Sequence, residues 1–458
     1  MKNLAAVILA AGEGKRMKSR VSKVLHEVST RPMIDWVIEA ARDAGAQECI
    51  VVVGHNAEQV TEHLGSSCQT ALQAERLGTA HAVRMAAPLL KNFDGNVMVL
   101  GGDMPMVTAD TLKKAYSEHC VREAAATVLA AEVDDPTGYG RVLCSESGEL
   151  ECIVEQKDAD EEQQKVRLVN AGMYFFDAKL LFSSISEIKN DNAQSEYYLP
   201  DVLGILKGKG HCVSIYQTED ATEILGVNDR VQLAQMNKMM KERILDKIMR
   251  DGVTIIDPAS TFIAPGVKIG MDTVIHPGSI LNGNTVVGEN CVIGPMTRLE
   301  DMRVADGVKI VNSVCMQSEI GEDTTVGPFA YIRPNCKIGS KVKLGDFVEI
   351  KNSSIDTGTK VSHLTYVGDS EVGSGVNFGC GTVTVNYDGT YKYKTVIGDN
   401  AFIGCNTNLV APVEVAADSF IAAGSTITDF VPSNSLAVAR ARQTNIEDWV
   451  TRRKNKEK

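Results

Sequence analysis

Short apolar runs alternate with amphipathic stretches along residues 1–227. The runs at 7–9, 50–53, 97–100 and 127–129 are aliphatic, and they predict buried strands. Between the first two, residues 32–45 carry apolar side chains at helical spacing and end at a glycine, which predicts a helix. Strand, helix and strand in this order predict an α/β domain with a Rossmann-like, largely parallel sheet. Ligands of such sheets bind beyond the carboxyl ends of the strands.

Residues 228–250 follow a different pattern, in which aliphatic residues and methionines recur among Lys, Arg and Asp without Gly or Pro. This pattern predicts one long helix. We interpret it as a rigid linker between two domains, with a partner-binding amphipathic helix as the alternative.

After Gly252 an aliphatic residue followed by glycine recurs, often at multiples of six residues. The positions are Ile269, Val287, Ile293, Ile320, Val326, Ile338, Leu344, Val367, Val372, Ile397 and Ile403. Three hexapeptides form one 18-residue triangular coil, so the repeat predicts a parallel β-helix over 251–458. Ordinary sandwich strands would not produce a period of six.

Composition agrees with this division. The 39 glycines and only 24 aromatic residues fit a core of stacked small aliphatic side chains.

Eleven scattered cysteines without a C-x-x-C pair indicate reduced thiols rather than a disulfide framework or a zinc site. The net charge of −12 argues against nonspecific nucleic-acid binding. The longest apolar run, residues 4–11, is too short to span a membrane and lacks a cleavage pattern, so we expect a cytoplasmic protein.

The loop after the first predicted strand has the chemistry of a phosphate site. Gly12 and Gly14 allow the backbone to approach a ligand, and Arg16 and Lys23 can neutralise phosphate charge. Asp103 follows the strand at 97–100, where a carboxylate can hold Mg²⁺ against a triphosphate. Taken singly, each feature also fits a solvated turn or a helix cap. The stretches 73–79 and 138–141 offer further backbone contacts to a ligand.

The β-helix half holds a second group of polar residues. Arg333 and Lys351 are 18 residues apart, which is one coil, so they should stack and could clasp a phosphate. His363 could deprotonate an amine for attack on a thioester, although a single histidine is also common as a surface or packing residue. The group comprises Arg333, Glu349, Lys351, His363, Tyr366, Asn377, Asn386, Tyr387 and Lys392.

The order of motifs resembles the sugar-nucleotide pyrophosphorylase family over essentially the whole chain. The motifs are L-A-A-G-x-G-x-R-M, K-V-L-H, Q-x-x-x-x-G-T, G-D-x-P, G-Y-G-R and N-A-G, followed by the long helix and the β-helix. The resemblance is closest to bacterial bifunctional members that combine N-acetylglucosamine-1-phosphate uridyltransferase with glucosamine-1-phosphate acetyltransferase. It implies acetylation of glucosamine 1-phosphate from acetyl-CoA, then transfer of UMP from UTP with release of pyrophosphate. It also implies a left-handed β-helix, Mg²⁺, a homotrimer, and a product used for peptidoglycan and lipopolysaccharide.

For the first domain the resemblance implies a residue for each part of the ligand. UTP would be held by Leu9, Ala10, Ala11, Gly12, Gln73, Gly78 and Thr79, with the catalytic Arg16 and Lys23 on its phosphates. Asp103 and Asn228 would hold Mg²⁺, and Gly140, Glu155 and Asn170 the sugar. Ser22 stands where the family usually has Pro, which loosens the loop before Lys23.

For the β-helix the resemblance implies that His363 is the general base, that Glu349 supports it and that Asn386 lies at the thioester carbonyl. The sugar phosphate would be held by Arg333, Lys351, Tyr366, Asn377 and Lys392, and acetyl-CoA by Cys380, Asn386, Tyr387, Cys405, Ala423 and Arg440. Cys380 and Cys405 replace a frequent Ala and Ser. The basic segment from Arg440 either closes over CoA of a neighbouring subunit or is a solvated tail.

Two other functions stay open at this point. The chain could be a nucleotidyltransferase of different base or sugar choice whose β-helix is only regulatory, but this leaves the polar group around His363 without a role. It could also be a non-enzymatic scaffold, against which the retention of Arg16, Lys23 and Asp103 argues.

Overall fold

The computed structural model describes residues 3–456, without the side chain of residue 455. The chain forms two compact units, which divide between Met240 and Lys241. The predicted long helix is present as Arg230–Arg250, and it contains this division. Within the described residues, no helix combines the length and the apolar character that a membrane crossing needs.

The N-terminal unit alternates strands and helices. Its strands are β1 (Asn3–Ala10), β2 (Glu27–Val28), β3 (Arg31–Pro32), β4 (Glu48–Val53), β5 (Gln69–Leu72), β6 (Gly95–Gly101), β7 (Ala126–Glu132), β8 (Arg141–Cys144), β9 (Leu150–Val154), β10 (Leu168–Asp177) and β11 (Val213–Gln217). Its helices are α1 (Met33–Asp43), α2 (Ala57–Leu64), α3 (Thr79–Ala86), α4 (Ala109–Val121), α5 (Ala178–Ser184) and α6 (Asp201–Gly208), followed by α7 (Arg230–Arg250). Each predicted strand and the predicted helix at 32–45 is found, and the α/β prediction is confirmed.

The main sheet has the order β11-β7-β10-β6-β1-β4-β5, with the hairpin β8–β9 beside β10. Strands β6, β1, β4 and β5 are parallel neighbours, but β10 is antiparallel to both β6 and β7. The sheet is therefore mixed rather than largely parallel. The chain passes from β7 through the hairpin into β10 without a crossover helix, and a parallel connection would need one.

Central strand β1 is buried on both faces, as expected of a parallel strand covered by helices. Leu4, Ala6 and Ile8 pack into one core with α1, and Ala5 and Val7 pack into a second core on the opposite face. The strand therefore holds the loop that follows it in a fixed position. Leu9 pairs with Gly101 of β6, so the loops that follow β1 and β6 leave the same edge of the sheet side by side.

The C-terminal unit is a parallel β-helix with three sheets, and the predicted fold is confirmed. The first sheet stacks Thr254–Ile255, Val274–Ile275, Val292–Ile293, Lys309–Ile310, Thr325–Val326, Lys343–Asp346, Lys360–His363, Asn377–Phe378, Phe402–Ile403, Phe420–Ile421 and Leu436–Ala437. The second stacks Phe262–Ile263, Ile280–Asn282, Arg298–Glu300, Val314–Met316, Tyr331–Ile332, Glu349–Lys351, Tyr366–Gly368, Val383–Val385, Asn408–Val410 and Thr426–Ile427. The third stacks Lys268–Ile269, Val286–Val287, Arg303–Val304, Glu319–Ile320, Lys337–Ile338, Ser354–Ile355, Ser370–Val372, Thr395–Ile397 and Val413–Val415.

The repeated aliphatic residues form the core of the β-helix. All the predicted positions are buried there except Ile269, which is partly buried against the same core near the first coil. Each inward side chain stacks on its equivalent in the next coil; Ile332, for example, lies opposite Ile350, and Ile350 opposite Val367. This stacking explains why the repeat needs few aromatic residues. Beyond the last coil the described residues include a short helix, α8 (Trp449–Lys456).

Candidate active sites

The loop after β1 passes directly over Lys23. Gly14 has φ +62°, and a Cβ on it would lie 2.9 Å from the Cβ of Lys23. A side chain at this position would therefore be strained and would clash with Lys23. Gly12 has open space around its Cβ position, which leaves its backbone accessible to a ligand. Met17 is buried and anchors the far end of the loop.

Three predicted residues converge at the carboxyl edge of the sheet. Lys23 Nζ donates to Asp103 Oδ2 at 2.5 Å and to Asn228 Oδ1 at 3.3 Å. Asp103 is held because its carbonyl accepts from the backbone N–H of Val227 at 3.0 Å. The arrangement brings one carboxylate oxygen and one amide oxygen to a single cationic group.

A cleft of about 630 Å³ opens beside these groups. It is lined by Leu9, Ala10, Ala11, Gly12, Lys23, Val24, Gln73, Arg76, Gly78, Thr79, Ala82, Gly101, Asp103, Met104, Gly172 and Glu196. Leu9, Ala10, Ala11, Gly12, Gln73, Gly78 and Thr79, which were predicted to hold UTP, are all among them, together with Lys23 and Asp103, whereas Arg16 is not. The cleft is thus lined by residues of three stretches that are far apart in the sequence, 9–12, 73–79 and 101–104.

The far wall of the cleft is built around Gly78. Its φ is +108°, and a Cβ would lie 2.5 Å from the carbonyl oxygen of Tyr197. Gln73 Nε2 donates to the Gly78 carbonyl at 3.1 Å, and the Thr79 hydroxyl accepts from the N–H of Leu199 at 3.0 Å. These contacts fix the Gln73 amide at the cleft, where it can read a flat polar ligand.

The three residues predicted to hold the sugar are neighbours. The N–H of Asn170 donates to the Gly140 carbonyl at 2.8 Å, and a Cβ on Gly140 would lie 3.1 Å from Glu155 Oε1. Asn170 Nδ2 donates to the Tyr174 hydroxyl at 2.7 Å. Burial, reinforced by the negative charges of Asp158 and Asp201, raises the pKa of the Glu155 carboxyl.

The basic loop is partly neutralised within the protein. Glu13 forms ion pairs with Lys15, at 3.2 Å, and with Arg76, which the sequence did not single out. Arg16 is exposed, and none of the hydrogen bonds and ion pairs found among residues 3–456 involves its side chain. Its guanidinium is therefore available to an anion, although Arg16 is not among the residues that line the cleft.

In the β-helix, Arg333 and Lys351 lie in neighbouring coils as predicted, because Ile332 pairs with Ile350 and the N–H of Arg333 donates to the Ile350 carbonyl. Arg333 Nη1 lies 3.0 Å from Glu349 Oε1. Lys351 Nζ lies 3.3 Å from Oδ2 of Asp369, one coil further on. Burial opposes the charge on Asp369, but hydrogen bonds from Asn352, Asn386 and Lys351 outweigh it and lower its pKa.

Two lysine side chains meet at this point. The ammonium groups of Lys351 and Lys392 are close enough that Lys351 lowers the pKa of Lys392. Like charges at this separation repel each other, and an anion between them relieves the repulsion. Together with Arg333 they form a concentrated cationic site.

His363 has a carboxylate partner that the sequence did not identify. Its Nδ1 atom lies 2.6 Å from Oδ1 of Asp346, the residue opposite it in the preceding coil. Glu349, expected to support His363, instead pairs with Arg333. The hydrogen bond with His363 lowers the pKa of Asp346. The spacing of 18 residues that placed Arg333 beside Lys351 would also have found Asp369, but Asp346 is 17 residues before His363.

Asn386 is the first residue of a loop that interrupts the coil between the strands Val383–Val385 and Thr395–Ile397. The amide of Asn386 donates to Asp369 Oδ2, and to the Tyr366 hydroxyl at 3.4 Å. Tyr387 forms an isolated bridge with Lys392, which closes the loop. Asn377 lies on the first sheet, opposite Lys360 and Phe402.

Three of the positions predicted to contact acetyl-CoA, Cys380, Cys405 and Ala423, stack at one corner of three successive coils, whereas Asn386 and Tyr387 lie in the loop after Val385. The N–H of Asn406 donates to the Cys380 carbonyl at 2.7 Å, and the N–H of Gly424 to the Cys405 carbonyl at 2.8 Å. Arg440 Nη1 donates to the Ala423 carbonyl at 2.9 Å, which joins the C-terminal segment to the same corner. Cys380 and Cys405 are both exposed free thiols.

Comparison with known families agrees with both halves. Residues 5–213 match the family described as "Nucleotidyl transferase". Residues 266–301, 317–352 and 394–429 match "Bacterial transferase hexapeptide (six repeats)". The fold and the two sites therefore define an enzyme with two transferase domains in one chain.

Relatives that match along the whole chain narrow this class. "Bifunctional protein GlmU" of Brevibacillus brevis is 52% identical over 458 residues, covering 100% of this chain and 99% of the relative. Those of Geobacillus thermodenitrificans (453 residues, 99% of each chain) and Bacillus subtilis (445 residues, 97% of this chain and 98% of the relative) are each 50% identical. The chain belongs to the GlmU family. Membership confirms the prediction of a bifunctional enzyme with a uridyltransferase and an acetyltransferase domain.

Proposed function

We propose that the β-helix acetylates glucosamine 1-phosphate with acetyl-CoA, and that the N-terminal domain then transfers UMP from UTP to the N-acetylglucosamine 1-phosphate so formed. Pyrophosphate is released, and the product serves peptidoglycan and lipopolysaccharide synthesis. The observation that carries the proposal is that the same β-helix holds the pairing of His363 with Asp346 and the cationic site of Arg333, Lys351 and Lys392. A β-helix with a purely regulatory role does not need this pairing.

In the N-terminal domain, the proposed uridylyl transfer depends on positioning and charge. Arg16 and Lys23 neutralise the phosphates of UTP while the Gln73 amide holds the uracil. The phosphate oxygen of the sugar phosphate attacks the α-phosphorus, and pyrophosphate leaves from the opposite side. Gly140, Glu155 and Asn170 orient the sugar for this attack.

Asp103 and Asn228 are the proposed ligands of Mg²⁺. The donor set fits, because a carboxylate and an amide oxygen both approach one ammonium group, that of Lys23, and Mg²⁺ favours one or two carboxylates with phosphate oxygens. When bound, the ion would neutralise charge on the phosphates. Among residues 3–456 no cluster of three or more His, Cys, Asp or Glu side chains forms an alternative metal site.

In the β-helix, the proposed base is His363, which takes a proton from the amine of glucosamine 1-phosphate as the nitrogen attacks the thioester. Asp346 orients the imidazole and stabilises the imidazolium that forms. Arg333, Lys351 and Lys392 bind the phosphate, with Tyr366 and Asn377 at the sugar. Because the nitrogen attacks the thioester directly, no acyl-enzyme on Cys380 or Cys405 is needed.

Acetyl-CoA is proposed to lie along the corner formed by Cys380, Cys405 and Ala423, with Tyr387 beside it and Arg440 at its end. The carbonyls of the corner are already bonded within the β-helix, so the side chains and Arg440 provide the remaining contacts. Asn386 stays proposed for the thioester carbonyl. Its amide is held by Asp369 in this structure, so it must exchange that partner for the substrate.

A homotrimer is proposed from an apolar ridge beside His363. The ridge consists of Phe329, Phe347 and Leu364, which stand at one corner of successive coils and are 56%, 58% and 60% exposed. The rings of Phe329 and Phe347 stack with centroids 5.4 Å apart, and all three residues have positive φ. Bulky residues are strained at positive φ, and these apolar side chains gain no stabilisation from burial while they face water. A second copy that covers the ridge buries them and so stabilises both copies.

The coupled reaction tests the proposal. Glucosamine 1-phosphate, acetyl-CoA, UTP and Mg²⁺ are supplied together, and CoA thiol and pyrophosphate are followed separately. Thiol should appear first, and pyrophosphate should depend on it. His363→Ala should abolish thiol release while pyrophosphate still forms from added N-acetylglucosamine 1-phosphate, and Asp103→Ala should do the reverse.

The controls separate the alternatives. If both activities fall together in folded His363→Ala, the assignment of two sites is wrong. Pyrophosphate release with a different nucleotide or sugar, and no thiol release, would favour the regulatory β-helix. An unchanged Mg²⁺ dependence in Asp103→Ala would remove Asp103 from the metal site.

The eleven free thiols agree with the proposed cytoplasmic location.

A further inference from the structure

Two thiols meet at the amino-terminal edge of the main sheet, far along the strands from the cleft. Strands β4 and β5 pair in parallel with Ile50 opposite Gln69, so Cys49 and Cys68, one residue earlier, are direct neighbours. Neighbouring parallel strands are about 4.8 Å apart, and disulfides join Cα atoms roughly 4.4–6.8 Å apart. Both cysteines are free, and their side chains are hydrogen-bonded to each other.

The two thiols have unequal surroundings. Arg42, at the end of α1, places Nη2 at 3.5 Å from the Cys68 sulfur and also donates to the Ser67 carbonyl. The hydrogen bond from Cys49, with those from Ser67 and the charge of Arg42, lowers the pKa of Cys68 against burial and the negative charge of Asp35. The pKa of Cys49 is raised by the same hydrogen bond and by burial. The contact with Arg42 therefore favours the thiolate on Cys68 rather than on Cys49.

Small molecules can approach this pair. Cys49 and Cys68 are 8% and 9% exposed, and residues 65–67 before Cys68 lie on the surface. Arg42 and Ser67, which both adjoin Cys68, line a cleft of about 240 Å³, although neither cysteine is among its lining residues. We therefore expect a small oxidant such as a peroxide, rather than a protein thiol, to reach the pair.

We infer that Cys49 and Cys68 form an oxidisable dithiol, a modification site in which Cys68 reacts first and Cys49 resolves it. The Cys68 thiolate attacks hydrogen peroxide, forming a sulfenic acid and releasing hydroxide. The Cys49 thiol, losing its proton, then displaces hydroxide from that sulfur, and the disulfide forms. Overall two thiols and one peroxide give one disulfide and two waters. This inference does not depend on the proposed substrates.

The other cysteines provide internal controls. Cys144 and Cys152 lie on the neighbouring strands β8 and β9, but Cys152 pairs with Leu143 and Cys144 with Leu150, so the two are out of register. Burial raises the pKa of both. Although more exposed than Cys68, they should react more slowly and should not form a disulfide.

Peptide mapping of the full-length enzyme tests the cross-link. Residues 43–75 contain no Lys or Arg, so trypsin leaves both cysteines in one peptide that ends at Arg76, and cleavage after Glu58 and Glu62 separates them. After treatment with one equivalent of hydrogen peroxide and alkylation, the two halves should stay joined until a reductant is added. Halves that separate without reductant, or Cys68 recovered as sulfinic acid, would overturn the inference.

Arg42 variants test the assigned order of reaction. Arg42→Gln should slow alkylation of Cys68 by iodoacetamide at pH 7 by about tenfold, because the thiolate fraction falls, and Arg42→Lys should restore most of the rate. In Cys49→Ala, peroxide should leave Cys68 as a sulfenic acid that dimedone traps. Circular dichroism identifies any variant that fails to fold. An unchanged rate in folded Arg42→Gln, or dimedone labelling at Cys49 instead, would contradict the assignment.

Discussion

The Nδ1 atom of His363 lies 2.6 Å from Oδ1 of Asp346, and the two residues are direct partners in adjacent coils of the first sheet. The backbone ladder therefore fixes the distance between the proposed base and its carboxylate. A carboxylate in this position keeps the proton on Nδ1, which leaves Nε2 free to accept a proton from the substrate.

Asp346→Asn should lower kcat of acetyl transfer by about ten- to a hundred-fold, because the imidazolium loses its negative partner. Uridylyl transfer in the same sample should be unchanged, and both rates can be read by thiol and pyrophosphate release. Asp356→Asn, at an exposed carboxylate directly after the strand Ser354–Ile355, is the matched control. Equal rates in Asp346→Asn and wild type would leave the pairing without a catalytic role.

Gly78→Ala should weaken UTP binding and destabilise the N-terminal domain by about 1–3 kcal/mol, the usual cost of a strained backbone. Its φ of +108° and the Tyr197 carbonyl 2.5 Å from the Cβ position leave no room for a methyl group. Gly204→Ala in α6 is the control, because nothing lies within 4 Å of its Cβ position. That change should stabilise by roughly 0.5–1 kcal/mol. Thermal unfolding measures the change in stability, and the KM for UTP measures the change in binding. Identical KM values for Gly78→Ala and the wild type would argue against a role for this wall in UTP binding.

Glu155→Gln should stabilise the protein at pH 8 while reducing uridylyl transfer. Burial raises the pKa of Glu155 in the folded state above its unfolded value, so the folded protein holds the proton more tightly. At pH values below the pKa of Glu155 in the unfolded state, this difference costs no stability. The cost grows as the pH rises and is complete above the pKa of Glu155 in the folded state. The gain in melting temperature should therefore shrink as the pH falls towards 4. The control is Glu151→Gln, at an exposed residue of β9. A gain in melting temperature that does not depend on pH would contradict this account.

Phe347→Asp should shift the oligomer towards smaller species and lower acetyl transfer more than uridylyl transfer. The substitution places a charge in the ridge that a second copy is proposed to cover, one residue after Asp346. Sedimentation velocity measures the assembly. Val121→Asp, on a residue of α4 that is 80% exposed, should leave it intact. An assembly unaffected by Phe347→Asp would place the interface elsewhere.

Sequence reasoning was most successful where one physical rule determines the position of a residue. The coil period placed Arg333 beside Lys351, and it predicted the inward position of Ile338, which stacks between Ile320 and Ile355. The carboxyl-end rule brought Gly12 and Asp103 to one edge.

It was less successful where position depends on the register of a particular pair. Coils differ in length by a residue, so Asp346 is 17 rather than 18 residues before His363 and the coil spacing does not identify it, while the resemblance pointed to Glu349. The antiparallel β10 follows from a hairpin that hydrophobicity alone did not reveal. The contact of Cys49 with Cys68 depends on how β4 and β5 pair, which the spacing of the two residues does not determine.

The loop between Val385 and Thr395 has a consequence for how this enzyme can diverge. The coil on either side stays in register, with Val383 opposite Asn408 and Val372 opposite Ile397. The loop carries Asn386, Tyr387 and Lys392 without contributing a rung to the stack. Selection can therefore alter its length and side chains independently of the scaffold, and a grafted loop from a relative should exchange acyl-donor or acceptor preference while the solenoid folds as before.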